Sequence, residues 1–289
     1  MGTSGSSGGP GGRTPLVPSW LDDGPSGLLP GAPGGAPPDG GEQGDGPQQP
    51  PARLPPIPNA PPPARFQSAR RNFSGFAGSG GTDGRALRRA VGHYVRSGTG
   101  GTRNATRRMA VSTRAASGAL GVFRGIQRDG VEATLRRLNL RDLVGRPVAD
   151  IFLGLTDIVC PDGGSIDEGV ARDAWIETVA SLDELGVEQM TDLTPDQIQE
   201  VFLAFVAHSI EGRLFQDIGV NGIAIAADLA AIQAFETQLR SYIRRSVRDS
   251  FSGDLTNLPN FTDRQIRDVV DSTYQEAWQL LLTIGDAQP

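Results

Sequence analysis

A primary amine is the most reactive group that this sequence predicts. All 27 basic residues among the 289 are arginine, so the chain contains no lysine. Removal of Met1, which the small second residue favours, would leave the α-amine of Gly2 as the only aliphatic amine in the protein. Because the reference pKa of an α-amine is about 7.7 to 8.0, an exposed one is partly neutral near physiological pH. Gly2 is therefore a candidate nucleophile.

The missing lysine also excludes two kinds of chemistry. A phosphate-binding loop of the Gly-x-x-x-x-Gly-Lys type and a Schiff-base enzyme both depend on a lysine side chain. The segment Met1–Ser6 formally matches an N-myristoylation signal. A single acyl chain binds membranes weakly and no basic run lies beside it, so we do not expect a membrane anchor. An inert leader is the other interpretation of this N-terminus.

The two histidines and the single cysteine form no recognisable catalytic or metal-binding pattern. His93 and His208 lie far apart in predicted helices, and Cys160 opens a turn-like Cys-Pro-Asp-Gly-Gly segment. A metal site needs ligands at a characteristic spacing, and a nucleophilic cysteine needs a histidine base beside it. We expect structural roles for all three residues, no metal and no cofactor of the chain's own. The chain is predicted not to be an enzyme.

Glycine clusters precede two predicted helices, at residues 78–81 and 98–102. Glycine loops at helix N-termini favour anions, because backbone N–H groups point outward there. Arg103, Arg107 and Arg108 follow the second cluster and are candidates for binding a phosphate group. Flexible connectors are the alternative interpretation of both clusters.

The chain that carries these residues has two parts of different composition. Residues 1–64 hold 17 of the 22 prolines and 15 of the 39 glycines, with few aliphatic or aromatic side chains. Such a segment cannot bury enough apolar surface to offset the entropy of ordering, so we expect a disordered tail with an exposed N-terminus. As a flexible coil, ~60 residues reach about 40 to 45 Å. Residues 65–289 are predicted to form the folded domain.

Charge is segregated within that domain. Residues 65–150 contain 17 arginines against 5 acidic residues, and residues 151–289 contain 8 arginines against 23 acidic residues. The two parts could complement one another within the fold, or the basic part could meet an anionic partner. Arg240, Arg244, Arg245 and Arg248 gather near one side of a predicted helix, which is typical of a solvated face.

Helical signals dominate residues 65–289. Capping boxes begin at Ser165, Thr194 and Thr262, each with Glu or Gln three residues later. Apolar residues then recur at spacings of three and four, as on one face of a helix. In the basic part, residues 85–96, 103–128 and 131–140 also indicate helices, with Gly130 as a break. The predicted fold is all-α, a bundle-like body of seven or eight helices.

The N-terminus lacks the pattern of a secretory signal, and no apolar stretch approaches the ~20 residues needed to cross a bilayer. We therefore expect a cytoplasmic protein. The single cysteine agrees with a reducing compartment.

Several motifs together resemble the QatB family. They are Met1–Ser4 with Pro15 and Trp20–Asp22; Asn72–Gly81; Tyr94-Val95 with Gly100-Gly101 and Ala105–Met109; and Val159–Gly164 with Asp167-Glu168. The resemblance spans nearly the whole chain apart from the proline-rich linker. The family belongs to the four-gene Qat anti-phage defence system, whose other products are an ATPase (QatA), a QueC-like enzyme (QatC) and a TatD-like nuclease (QatD).

This resemblance implies a role for the Gly2 amine. QueC chemistry activates a 7-deazaguanine carboxylate with ATP and captures it with an amine. If the QueC-like partner accepts a protein amine in place of ammonia, the product is a deazaguanine amide on Gly2, with Thr3 and Ser4 helping the partner to recognise the tail. ATP and the deazaguanine precursor would then be used by the partner.

Two alternatives remain open. The arginine-rich part could bind nucleic acid through phosphate contacts, although few aromatic residues are interleaved there to stack on bases. The chain could also be a scaffold that joins the ATPase to the TatD-like nuclease.

Overall fold

The computed structural model describes residues 64–161, 163–185, 190–219 and 229–287. Within these ranges the protein is all-α and contains no β-strand, which confirms the predicted fold class. Residues 1–63, with Gly2, Thr3 and Ser4, lie outside the described ranges. The predictions of a disordered tail and of an exposed N-terminus therefore stay predictions.

The described residues form more α-helices than the seven or eight expected. The helices are α1 (Gln67–Gly78), α2 (Gly84–His93), α3 (Thr102–Arg108), α4 (Ala110–Asp129), α5 (Val131–Arg137), α6 (Val148–Gly154), α7 (Thr156–Val159), α8 (Ile166–Ala180), α9 (Pro195–Ile218), α10 (Leu229–Ser250) and α11 (Asp263–Asp286). A π-helical turn, Tyr94–Gly98, extends α2.

The higher number has local causes. The segment predicted as one helix from Arg103 to Arg128 is divided at Met109, whose φ of −93° and ψ of 12° end α3 and start α4. Met109 is buried, so packing of its side chain, rather than any breaker residue, fixes this corner. Gly130 separates α4 from α5 with a φ of +88°, which glycine adopts at little cost, as the sequence predicts.

The three capping boxes are present and set the starts of the helices in the acidic part. The hydroxyls of Ser165, Thr194 and Thr262 each accept a hydrogen bond from the backbone N–H three residues later. The Glu or Gln at that position accepts one from the cap's own N–H in return. These helices therefore begin where the sequence predicts.

Helices α9 and α11 organise the core. Helix α9 lies between α8 and α10 and packs against both, while α11 packs against α2, α4 and α10. The ring of Trp175 on α8 stacks on that of Phe152 on α6, with centroids 5.5 Å apart, and its Nε1–H donates to the Phe152 carbonyl at 3.1 Å. Burial of such apolar side chains stabilises the fold.

Two glycines allow α2 and α11 to cross at close range. A Cβ atom added at Gly285 would lie 2.5 Å from Cα of Gly92 and 2.8 Å from the carbonyl oxygen of Arg88. The helices are therefore in backbone contact at this crossing, and only glycine fits at both positions.

Helix α1 is an element that the sequence patterns do not indicate. Its twelve residues include Gly75 and Gly78, which are poor helix formers. It is held by tertiary contacts, because the fully buried rings of Phe73 and Phe76 pack against Phe235 of α10 at centroid distances of 6.0 and 5.5 Å.

Candidate functional site

The three arginines expected to bind an anion have different environments. Arg103 and Arg107 are exposed on α3, and neither guanidinium pairs with a carboxylate of the described residues. Arg108 is instead half-buried and forms an ion pair with Asp217. Helix α3 has only seven residues, and the N–H of Gly101 before it donates to the Val95 carbonyl at 2.8 Å. The structure therefore does not bring the three guanidinium groups together around one anion.

Asp217, near the end of α9, is the centre of a buried ion network. Its side chain is 8% exposed. Nη2 of Arg108 lies 2.5 Å from Oδ1, and the Tyr94 hydroxyl donates to Oδ2 at 2.8 Å. Burial first, and then the charge of Asp217 and this hydrogen bond, raise the pKa of Tyr94 well above its usual range. Tyr94 therefore stays a protonated donor.

Arg213 completes the network from within α9. Its side chain is 9% exposed, and Nε lies 3.5 Å from Oδ2 of Asp217 one helical turn later. Its Nη1 forms an ion pair with Asp167 at the start of α8. Arg70 of α1 caps the end of α9 by donating to the Ile218 carbonyl at 2.9 Å. The network thus fixes the end of α9 against α1, α3 and α8.

Further ion pairs join the basic part to the acidic part. Arg124 of α4 pairs with Asp263 of α11 at 2.7 Å and donates to the Phe261 carbonyl at 2.8 Å. Arg96 pairs with Asp286 at the other end of α11. Together with Arg108 and Asp217, these pairs show that part of the segregated charge is complemented within the fold.

Cys160 is buried at the end of α7, which agrees with the structural role expected for it. The side chain is buried, and Sγ lies 3.4 Å from the carbonyl oxygen of Ala171. Burial raises the pKa of the thiol to about 12. Because the thiolate is the nucleophilic form, Cys160 is not activated for attack.

A large cleft lies over α9, between α8 and α10. Its volume is about 590 Å³. The lining residues are Val170, Asp173, Ala174, Glu177, His208, Glu211, Gly212, Phe215, Gln216, Gly219, Phe235, Glu236 and Arg240. Small-molecule sites commonly combine this size with apolar walls and a few convergent polar groups.

Two buried polar side chains one turn apart on α9 form the floor of this cleft. His208 is 6% exposed and Glu211 is 5% exposed. Nδ1 of His208 lies 3.9 Å from Oε2 of Glu211, which is beyond hydrogen-bond distance. Nε of Arg240 on α10 lies 3.2 and 3.3 Å from the two carboxylate oxygens of Glu211, and Arg240 also pairs with Glu177 of α8 at 3.9 Å.

Burial shifts the pKa values of both His208 and Glu211. It lowers the pKa of His208 to about 4, with a smaller contribution from the charges of Arg244 and Arg240. It raises the pKa of Glu211, against the opposing effect of Arg240. His208 is therefore a neutral imidazole at pH 7. Perturbed groups in a cleft indicate a functional site.

No sequence pattern pointed to this cleft. Arg240, Arg245 and Arg248 are exposed, as expected for a solvated face of α10. Arg240, Arg244 and Arg248 also contact Glu211, His208 and Glu200 of α9, because the two helices pack side by side. His208 and Glu211, which interrupt the apolar sequence of α9, are the only local signal for the cleft.

No group of three or more His, Cys, Asp or Glu side chains in the described ranges is arranged to hold a metal ion. Among the same residues, no helix has the length and hydrophobicity that a membrane span requires.

Comparison with known families identifies a matching family model. The sequence model of the family described as "Qat anti-phage system associated protein QatB" matches residues 100–281. These residues include α3 to α10, most of α11, the cleft, and Arg108, Arg213 and Asp217 of the ion network, but not Tyr94 or Arg70. No curated protein and no solved structure matches the chain.

Proposed function

We propose, from the fact that this chain belongs to the QatB family of Qat anti-phage system associated proteins, that its Gly2 amine accepts a deazaguanine acyl group from a QueC-like partner. Family membership gives the chain a role in the Qat system. The observation that carries the finer proposal is the absence of lysine from all 289 residues. The α-amine exposed by removal of Met1 then has no competing amine.

The proposed step is an acyl transfer. The partner activates the carboxylate of a 7-deazaguanine precursor with ATP. The neutral Gly2 amine attacks the activated carbonyl carbon, an amide C–N bond forms, and the activating group leaves with the electrons of the C–O bond. The nitrogen loses one proton to solvent or to a base of the partner. At pH 7 to 8 a useful fraction of an α-amine is neutral, so this chain needs no base of its own.

The described residues support a non-catalytic role for the chain. Cys160 is buried with a raised thiol pKa, so the most nucleophilic side-chain type is inaccessible. The Asp217 network is used to hold helices together. We propose that Thr3 and Ser4 help the partner to recognise the tail, and that the folded part binds elsewhere in a cytoplasmic complex with QatC, QatA and QatD.

Intact mass spectrometry tests this proposal. The full chain is expressed with and without the QueC-like partner, and we expect an added mass of one deazaguanine acyl group per chain only when the partner is present. An unmodified mass in the presence of an active partner would contradict the proposal.

A second candidate function has one observation in its favour. Arg103 and Arg107 are exposed and unpaired within the described residues, as expected for a nucleic-acid-binding adaptor. Phosphate contacts make binding strongly dependent on salt. A gel shift at low salt that is lost in the double variant Arg103→Glu, Arg107→Glu would support this function. An unchanged Gly2 adduct in the same variant would show that the two functions are independent.

A further inference from the structure

The floor of the cleft between α8, α9 and α10 presents an unpaired hydrogen-bonding edge. His208 is more than nine-tenths buried and lines the cavity. Arg244 Nη2, which can only donate, lies 3.5 Å from His208 Nε2. When Nε2 accepts from this guanidinium, the neutral imidazole carries its proton on Nδ1. The nearest carboxylate oxygen, Oε2 of Glu211, is 3.9 Å away, so the Nδ1–H group has no partner there.

Glu211 provides acceptors beside this donor. Only the Nε–H group of Arg240 is bonded to its carboxylate among the described residues, at 3.2 and 3.3 Å. An ionised carboxylate offers about four lone-pair positions. The floor of the cleft is thus one donor followed by two acceptor oxygens, all within one turn of α9.

The walls suit a flat ring. Phe215 and Phe235 meet edge to face at a centroid distance of 6.3 Å and line the cavity together with Val170 and Ala174. Gly212, between the two polar floor residues and Phe215, adds no side chain to the floor. A cavity of about 590 Å³ is in the range of small-molecule sites.

The charge of the lining limits the ligand further. Four carboxylates, those of Asp173, Glu177, Glu211 and Glu236, face one guanidinium, that of Arg240. The first two and Glu236 are exposed at the rim. A phosphate group would be repelled there, so the cleft suits a ligand without phosphate.

We infer that this cleft binds a guanine-type base that carries no phosphate. The carbonyl oxygen of the base accepts from Nδ1–H of His208. The adjacent ring N–H and the exocyclic amino group donate to the two oxygens of Glu211. Bases taken out of a stack are read in this way, through their hydrogen-bonding edge and by packing against aromatic side chains. The base would thereby bridge Nδ1 of His208 and Oε2 of Glu211, which lie 3.9 Å apart.

This inference deepens the proposed function and, in its biological meaning, rests on it. A 7-deazaguanine amide has the same carbonyl, ring N–H and amino groups as guanine, and it carries no phosphate. The cleft would therefore bind the same class of base that the proposed acyl transfer attaches to Gly2.

NMR of the histidine rings in the full-length chain tests the inference, because the chain contains only two histidines, His93 and His208. Guanosine and 7-deazaguanosine are added as probes. Both are expected to shift the ring signals of His208 and to leave those of His93, on α2, unchanged. Inosine, which lacks the amino group, should bind at least about 10-fold more weakly. Neither the nucleoside adenosine, which has a different hydrogen-bonding edge, nor guanosine monophosphate, which carries a phosphate, should cause a shift at equal concentration.

Three variants make the test specific. Glu211→Gln replaces one acceptor oxygen by a donor and should abolish the response to guanosine. Glu200→Gln, on the same helix but paired with Arg248, is the matched control and should respond like the wild type. Gly212→Met keeps every polar group but fills the cavity, and it should also abolish binding. Circular dichroism establishes that each variant is folded.

Two results would overturn the inference. One is a wild-type chain in which guanosine and 7-deazaguanosine leave His208 unshifted. The other is an equal response to adenosine or to the cation agmatine, which would indicate an aromatic or a cation site instead. The mass of the Gly2 adduct is measured separately. An adduct without base binding would contradict only the proposal that the cleft binds a base. Base binding without an adduct would contradict only the acyl-transfer proposal.

Discussion

The hydroxyl of Tyr94 donates a hydrogen bond of 2.8 Å to Oδ2 of Asp217, 123 residues further along the chain. Tyr94 lies in the π-helical turn after α2, where its ring stacks on Phe66 and is tilted against Trp278. Asp217 also holds Arg108 and Arg213. One carboxylate therefore ties the end of α9 to elements from the basic part of the chain.

Asp217→Asn should be strongly destabilising. The substitution leaves the buried guanidinium of Arg213 and the half-buried one of Arg108 without their shared counter-charge. Loss of one partner from a buried pair costs about 3 to 5 kcal/mol, and we expect a decrease near the lower value in urea unfolding. Asp268→Asn is the matched control. Arg264 and Asp268 on α11 are four residues apart, like Arg213 and Asp217, but their side chains are largely exposed. Equal stability of the two variants would contradict a structural role for the network.

Gly285→Ala should also destabilise the fold. Its Cβ would lie within 3 Å of Gly92 and of the Arg88 carbonyl, so α2 and α11 must separate. Overpacking of this kind costs about 1 to 3 kcal/mol. Gly118→Ala, on the exposed side of α4 with no atom within 4 Å of the new Cβ, should instead stabilise by roughly 0.5 to 1 kcal/mol. Thermal unfolding should show a lower melting temperature than wild type for Gly285→Ala and a higher one for Gly118→Ala.

His208 should make stability dependent on pH. Its pKa of about 4 in the folded chain lies below the ordinary 6.5. Between these values the unfolded chain binds a proton that the folded chain does not, so the free energy of unfolding falls as pH decreases from 6.5 towards 4. The loss is roughly 3 kcal/mol at one pKa unit per 1.36 kcal/mol. Above pH 6.5 this contribution is fully present.

The measurement is the difference in unfolding free energy between wild type and His208→Gln from pH 7 to pH 4. Glu211, whose pKa is raised, acts in the opposite direction in both proteins, so the difference isolates His208. The difference should shrink as pH falls. A difference that does not change with pH would mean that His208 is already exposed to solvent.

Cys160 should not react with a thiol reagent in the folded chain. Its thiol is buried and its pKa is about 12, so raising the pH from 7 to 9 should not accelerate labelling. Unfolding in urea should release one reactive thiol per chain. Rapid labelling of the native chain would reopen the question of a catalytic cysteine.

The elements that depend on local chemistry could be predicted from the sequence. The capping boxes at Ser165, Thr194 and Thr262 work within four residues, so they mark the starts of α8, α9 and α11 without any knowledge of the fold. The corner at Met109 and helix α1 could not be predicted, because burial of Met109 and the contact of Phe73 with Phe235 depend on distant parts of the chain.

The candidate sites also divide into features that depend on local sequence and features that depend on contacts between distant parts of the chain. The lack of lysine and the structural role expected for Cys160 depend on single residues and their neighbours in the sequence, so both could be predicted. The pairing of Arg108 with Asp217 and the contacts of Arg240 and Arg244 with α9 arise from the packing of helices. The pattern of charges along the chain shows that complementarity within the fold is available, but not which residues form the pairs.

The central claim concerns one nitrogen atom, and peptide-level mass spectrometry after co-expression with the QueC-like partner tests it most directly. The N-terminal peptide of the wild-type chain should carry the deazaguanine acyl group on Gly2, and all other peptides should be unmodified. Gly2→Pro, which replaces the primary amine by a hindered secondary one, should eliminate the adduct, while Gly5→Pro in the same tail should retain it. An adduct elsewhere in the chain, or one that survives in Gly2→Pro, would contradict the account.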